Sequence, residues 1–269
     1  MRVPPELVSR TLGMYYDGLS LSDISRNLQE EYGYYPSKSV IYRWIDKFTN
    51  LAIEKTKDYQ PQVGDTWIAD ETVIEIDGKN IWLFDCIDSK TRFLLATRLA
   101  YSRTTHDAYM LMKEASKKAG KIPKIVVTDK LRSYLDGIEM AFGADTEHIQ
   151  SRPFTVKDST NLIERFHGTL KERTKVMRGL KDIGTAMQFI DGFLINYNYL
   201  KIHEGLKGKT PAQVAKIDYP YRTWSDIIRQ PVTREPKITP QEPAFLKQQI
   251  PKQVRRAIGM DTDIPKELR

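Results

Sequence analysis

Three acids, far apart in the chain, have the residue type and setting that a divalent-cation site would need. The stretch 161–175 reads NLIERFHGTLKERTK. At 3.6 residues per turn Leu162, Ile163, Phe166 and Leu170 form an apolar stripe, while Asn161, Glu164, Gly168 and Lys171 fall along a second face. Glu164 therefore stands where a helix could complete a metal site begun upstream, with a base two turns later; a solvated surface helix is the ordinary alternative. Gly168 costs about 1 kcal/mol relative to Ala inside a helix, which implies a close approach to the backbone there. In TWIADETVIEI, residues 66–76, the period is two: Ile68, Asp70, Thr72, Ile74 and Ile76 share one face, and Trp67, Ala69, Glu71, Val73 and Glu75 the other. An ionised carboxylate on the more apolar face needs a cation or donors, which favours Asp70 over Glu71 and Glu75. Asp129 ends the apolar run PKIVVTD. It can cap the following segment LRSYLDGIEMAFG, or it can serve a ligand, because ligands gather at the C-terminal ends of parallel strands. Asp85 and Asp88 read as an outward-facing strand residue and a turn residue.

The elements that must carry these acids follow from periodicity and turn chemistry. Asp77-Gly78 predicts a hairpin after the first strand, NIWLFDCID and TRFLLATRLA the next two antiparallel strands, and Ser89-Lys90 the turn between them. THDAYMLMKEASKKAG has helical spacing with a glycine stop. The short strand at residues 125–128, nearly all apolar, then lies parallel beside the first strand, by the right-handed crossover rule, so that Asp70 and Asp129 can face each other. A weak strand near His148 and the helix of Glu164 come next. A further helix has a core stripe of Met187, Ile190, Phe193, Leu194 and Tyr197, and His203 reads as a loop histidine that is structural or contacts phosphate.

Residues 1–50 read as three short helices. Ser20 or Ser22 caps the second, Gly33 ends it, and Ser37 caps the third. In the third, Val40, Ile41, Trp44, Ile45 and Phe48 form the buried stripe, leaving Lys38, Ser39, Tyr42, Arg43 and Lys47 outward, the layout of a recognition helix in a helix-turn-helix domain. Residues 51–64 are a linker, 65–215 an α/β catalytic domain, and 216–269 a basic, proline-rich tail that docks or extends.

Composition bounds the partners. The 269-residue chain carries a net charge of +7, with 11 basic against 6 acidic residues over 151–215 and 11 against 7 over 216–269. That asymmetry suits a polyanionic partner. Cys86 is the single cysteine, which excludes an internal disulfide and any multi-cysteine zinc site. With no membrane-length apolar run and no signal-peptide core, a cytoplasmic, DNA-associated protein is expected.

Asp70 in WIADET, Asp129 in VVTDKLRSY and Glu164 in NLIERFHGTLKERTK, with 34 residues between the second and third acids, resemble the acid triad of DDE transposases of the insertion-sequence-six type, in the retroviral-integrase superfamily. Lys171 matches that family's basic position, and YNYLKIHEGLKGKTPAQVA resembles its closing segment. The resemblance covers roughly residues 10–215. It implies a ribonuclease-H-like mixed five-stranded sheet with helices on both sides, and metal-dependent DNA cleavage and strand transfer at the ends of a mobile element. Two Mg2+ ions, replaceable by Mn2+, would be held by Asp70, Asp129 and Glu164, because hard cations prefer carboxylate oxygen. Lys171 and Arg165 would contact DNA. The implied partners are double-stranded DNA, both terminal repeats and target, and further copies of the chain in a homodimer or larger assembly, with no membrane. The zinc module of retroviral integrases has no counterpart here, since one cysteine cannot build it. A regulatory DNA-binding protein derived from a transposase, or a nuclease on the same fold, would share these features and differ in product.

Overall fold

Alternating apolar residues make β1 (Thr66–Ile76) the central strand of the sheet, paired with a strand on each side. The structure is a computed structural model that describes residues 3–151, 160–177 and 180–229. Asp77 and Gly78, with φ of 52° and 69°, form the left-handed two-residue turn a hairpin favours. The chain returns antiparallel as β2 (Lys79–Asp88) and again as β3 (Leu94–Ala100). Helix α4 (Thr105–Ala119), fixed at its start by a capping box between Thr104 and Asp107, crosses over to β4 (Ile125–Thr128), which lies parallel to β1. A second crossover, α5 (Arg132–Phe142), leads to β5 (Glu147–Gln150), parallel to β4. The order β3-β2-β1-β4-β5 is the ribonuclease-H-like sheet that the sequence led us to expect.

Helices cover both faces. Glu71 and Phe84 are register partners, and the Phe84 ring meets Tyr134 of α5 edge-on at 6.1 Å. Trp67, on the same face of β1, meets Phe142 of α5 at 6.3 Å. The opposite face, that of Asp70 and Asp85, receives α6 (Asn161–Val176), which buries Ile163, Phe166, His167, Leu170 and Arg173. Behind α6, Phe166 packs against Phe193 of α7 (Ile183–Ile195) at 6.0 Å and against Tyr197 at 5.2 Å. The α7 stripe is Ala186, Phe189, Ile190 and Phe193, so Met187, expected in that stripe, is 52% exposed.

The N-terminal helices are α1 (Pro5–Asp17), α2 (Leu21–Tyr32), capped by Ser20, and α3 (Lys38–Thr56). Helix α3 runs on past residue 50, through the start of the expected linker, because Ala52 and Thr56 continue its buried stripe. Lys38, Ser39, Tyr42, Arg43 and Lys47 are all exposed on it. These helices do not stand apart: Tyr16 of α1 shares a 2.6 Å hydrogen bond with Thr49 of α3 and stacks on Trp224 at 5.2 Å. Trp224 opens α9 (Trp224–Arg229), which follows the single-turn α8 (Pro211–Val214). The first part of the tail thus docks on α1; residues 230–269 lie outside the described residues.

Two glycines behave oppositely. A Cβ at Gly137 of α5 would lie 2.7 Å from the Ala108 side chain and 2.9 Å from the Tyr109 backbone, so this glycine lets α4 and α5 touch. At Gly168 of α6, nothing among the described residues lies within 4 Å of such a Cβ, so the close approach expected there is not found. Gly137→Ala should therefore lower stability by about 1–3 kcal/mol through overpacking, whereas Gly168→Ala should raise it by about 1 kcal/mol. Urea unfolding of the two variants checks the opposite signs.

Candidate metal centre

The register of β1 brings acids together from both sides. Toward β2, Asp70 pairs directly with Asp85. Toward β4, Ile68 pairs with Val127, and the same offset carries Asp70 to Asp129, one residue beyond the last strand residue of β4. Because β4 stops at Thr128 while β1 runs on to Ile76, the space beside residues 70 and 71 is open to side chains from either face of β1. One carboxylate oxygen from each of Asp70, Glu71 and Asp129 falls within 4.8 Å of the others. Glu71 was the acid that alternation had set aside. It joins the group because the missing strand pairing removes the barrier between the two faces.

Each of these acids has a distinct environment. Asp129 accepts the Leu131 amide at 2.8 Å on Oδ1, so it does begin the turn into α5, and it keeps its second oxygen. The preceding Thr128 hydroxyl donates to the Asp129 carbonyl at 2.8 Å and lies 2.8 Å from His148 Nε2, which fixes the strand end. Glu71 is nearly buried; its Oε1 accepts a hydrogen bond from Arg103 at 3.3 Å, and the buried Tyr134 hydroxyl of α5 adjoins the same carboxyl group. Burial, reinforced by the charges of Asp129 and Asp70, pushes the Glu71 carboxyl above its ordinary range; Arg103 opposes this. Three carboxylates converging at one place form a donor set of hard oxygens, which fits a hard divalent cation.

Asp70 also has a histidine partner that the sequence reading overlooked. His167 of α6 lies with Nε2 2.9 Å from Asp85 and Nδ1 3.5 Å from Asp70. Asp85 is not outward-facing: it is fully buried and accepts the Thr97 hydroxyl at 2.5 Å as well. Burial alone would lower the His167 pKa, but the hydrogen bonds and charges of Asp70 and Asp85 raise it to about 9. The imidazolium therefore bridges two carboxylates across β1 and β2. Asp88, read as a turn residue, is fully buried and organises the turn from within, accepting the Gly64 and Thr91 amides at 2.9 and 2.7 Å and the Thr91 hydroxyl at 2.6 Å. The overlooked signal was position: His167 is four residues after Ile163 and falls on the buried stripe of α6.

Glu164 is exposed at the start of α6, one turn before His167, and its Oε1 accepts the Thr160 hydroxyl at 2.6 Å. It is not among the three acids whose oxygens converge. Lys171, a turn beyond His167, is exposed and lines a groove with Val73, Glu75 and Lys175. Arg165 is exposed and lines a separate cavity of about 150 Å3 with Arg92, Lys201 and His203. His203 takes the structural alternative: it packs against Tyr197 at 4.5 Å and lies 3.1 Å from that residue's carbonyl.

Residues 64–203, about half of the chain, match a family described as a DDE domain. The transposase of the insertion-sequence-like element IS431mec from Staphylococcus aureus is 32% identical over 186 residues, covering 68% of this chain and 79% of that protein. The chain belongs to the DDE transposases of insertion sequences. A second relative, the transposase of IS257 in transposon Tn4003 of Staphylococcus aureus, is 30% identical over 200 residues, covering 73% of this transposase and 85% of that one. Among solved structures, the HTLV-2 integrase catalytic core in complex with magnesium covers 58% of this chain and 99% of its own, at 17% identity and a TM-score of 0.45. As a DDE transposase the chain is a polynucleotidyl transferase, and its family works with divalent metal ions.

Removing the imidazole from between the buried Asp85 and the partly buried Asp70 leaves Asp85 without its cation. His167→Ala should cost about 3–5 kcal/mol, as for breaking a buried pair, and Asp85→Asn combined with His167→Gln should recover much of that loss. Denaturant unfolding of the single and double variants measures both.

Proposed function

We propose that this transposase cleaves DNA at the ends of its element and joins the freed 3′-ends to target DNA, with Asp70, Asp129 and Glu164 holding two Mg2+ ions. The observation that carries this reading is the convergence of one carboxylate oxygen each from Asp70 and Asp129 beside a third from the nearly buried Glu71. Glu164 is supported by its position: it stands one turn before the helix residue that touches Asp70, on the exposed start of α6. Divalent ions held by these carboxylates would supply Lewis-acid stabilisation of the charge that develops on the oxygens of the displacement. The chain's own residues do the rest. His167 orients Asp70 and, through Asp85 and Thr97, anchors it to two strands. Arg103 restrains Glu71, so that its charge supports the site without closing it. Lys171 and Arg165, exposed on the same helix, neutralise phosphates of the bound strand.

Recognition of the ends falls to residues 1–50. Lys38, Ser39, Tyr42, Arg43 and Lys47 all lie exposed on α3, as a groove-reading helix requires. Residues 65–215 act as the catalytic domain and 216–269 as a tail that contacts DNA or a second copy of the chain. Joining two ends calls for more than one copy, a homodimer or larger, in association with DNA.

The reading is tested by strand joining with the DNA that flanks the gene, in Mg2+ or Mn2+. Glu164→Gln should abolish joined product while leaving end binding near native, and Glu71→Gln should lose about 10–100-fold, the range for a residue that supports a ligand rather than being one. Equal loss in both, or loss in Glu71→Gln alone, would move the third ligand to β1. Changing Lys38, Arg43 and Lys47 together to Ala should weaken binding to the ends most at low salt and make it less salt-dependent, measured by gel shift.

A further inference from the structure

Arg173, near the C-terminal end of α6, is a buried cation without an acid. It is 3% exposed, and its Nε and Nη1 are buried with no hydrogen-bond partner among the described residues. Its guanidinium lies over the Tyr15 ring at 4.2 Å and within 5.6 Å of Phe189. Those rings stabilise the charge from its flat side, but they offer no acceptor in the plane of its N–H bonds. No described carboxylate pairs with it, although a guanidinium does not lose its proton and an unpaired buried charge is costly.

The same side chain lines a cavity of about 370 Å3 between α6 and the N-terminal helices. Its other walls include Tyr15, Ser22 in the first turn of α2, and Lys38 and Tyr42 of α3. Lys38 makes no ion pair with a described residue, and the acid of that first turn, Asp23, is already tied to Arg26 at 2.7 Å and to the Ser20 hydroxyl at 2.6 Å. Two cations and a helix start therefore surround a space that lacks an available acid. The acceptor oxygens of a compact anion are what would satisfy this lining.

We propose that this cavity is a phosphate site: a phosphodiester of the DNA strand lying along α3 enters past Lys38 and Tyr42 and is held by Arg173. This rests on the reading of α3 as the end-binding helix. Arg173 shares α6 with Glu164 and His167, so a phosphate held there would fasten the recognition helix to the helix that completes the candidate metal centre. A free phosphate ion offers the same oxygens, and the test separates the two.

The full chain is compared with Arg173→Met and with Lys38→Ala, an exposed position that folding does not depend on. Thermal unfolding is followed in inorganic phosphate and in chloride at equal ionic strength, and binding to a duplex carrying the flanking DNA is followed across salt concentration. The proposal expects phosphate to raise the native Tm, to raise that of Lys38→Ala less, and to leave Arg173→Met unmoved. It expects Arg173→Met to be no less stable than native in chloride, and its slope of log Kd against log salt to be shallower by about 0.9, one phosphate contact. A variant Arg173→Met that melts lower in chloride, together with a native phosphate response in Lys38→Ala, would make Arg173 a structural stack and overturn the site. Phosphate stabilisation with an unchanged DNA slope would assign the cavity to free phosphate and overturn the DNA assignment. Native DNA affinity after Arg43→Ala and Lys47→Ala would instead remove α3 from the interface, a failure of the underlying reading that the phosphate melts cannot produce.

Discussion

A row of carboxylates crosses the middle of the sheet, and the architecture on both faces is arranged around it. Asp85, Asp70 and Asp129 occupy corresponding places on β2, β1 and the end of β4, so like charges meet where strand pairing forces them together. Such a row is unfavourable unless cations enter it. One cation is the chain's own: His167 sits between Asp85 and Asp70 and neutralises the buried half of the row. The other half, Asp70 with Asp129 and the inserted Glu71, has Arg103 at its margin and is the half proposed to take metal.

That division explains several features that otherwise look unrelated. The β4 strand is four residues long, and its early end lets acids from both faces of β1 converge. Helix α6 must lie on the Asp70 face because it delivers the histidine, and it thereby sets Glu164 one turn away and directs Lys171 along the outer half of β1. Its far end brings Arg173 over the Tyr15 ring of α1, so the helix that touches Asp70 also reaches the N-terminal helices. The stacking of Tyr16 on Trp224 and its bond to Thr49 close that junction.

Much of this was legible in the chain. Alternation in TWIADETVIEI placed Asp70 on the face opposite Glu71 and Glu75, Asp77-Gly78 marked the hairpin, and the apolar run ending at Asp129 predicted a parallel strand beside the first. What was not legible depended on contacts distant in sequence. In NIWLFDCID, both faces are covered by helices, so the residues around Asp85 are apolar on either side and alternation carries no signal about where that acid points. The inclusion of Glu71 goes with where β4 ends, a matter of pairing across the sheet rather than of anything near residue 71. His167 could have been found, since a histidine on the buried stripe of a helix requires partners. Gly168 misled because a helical glycine can face open space as readily as a neighbour.

The central claim is that the open half of the carboxylate row is a cation site. Thermal unfolding of the native chain and of Asp129→Asn, with Mn2+ titrated against each, tests it directly. Relief of like-charge repulsion should make Asp129→Asn more stable than the native chain without metal, and Mn2+ should then stabilise the native chain while leaving the variant nearly unmoved. A native chain whose melting temperature ignores Mn2+, or a metal-free variant that melts lower than native, would contradict the account.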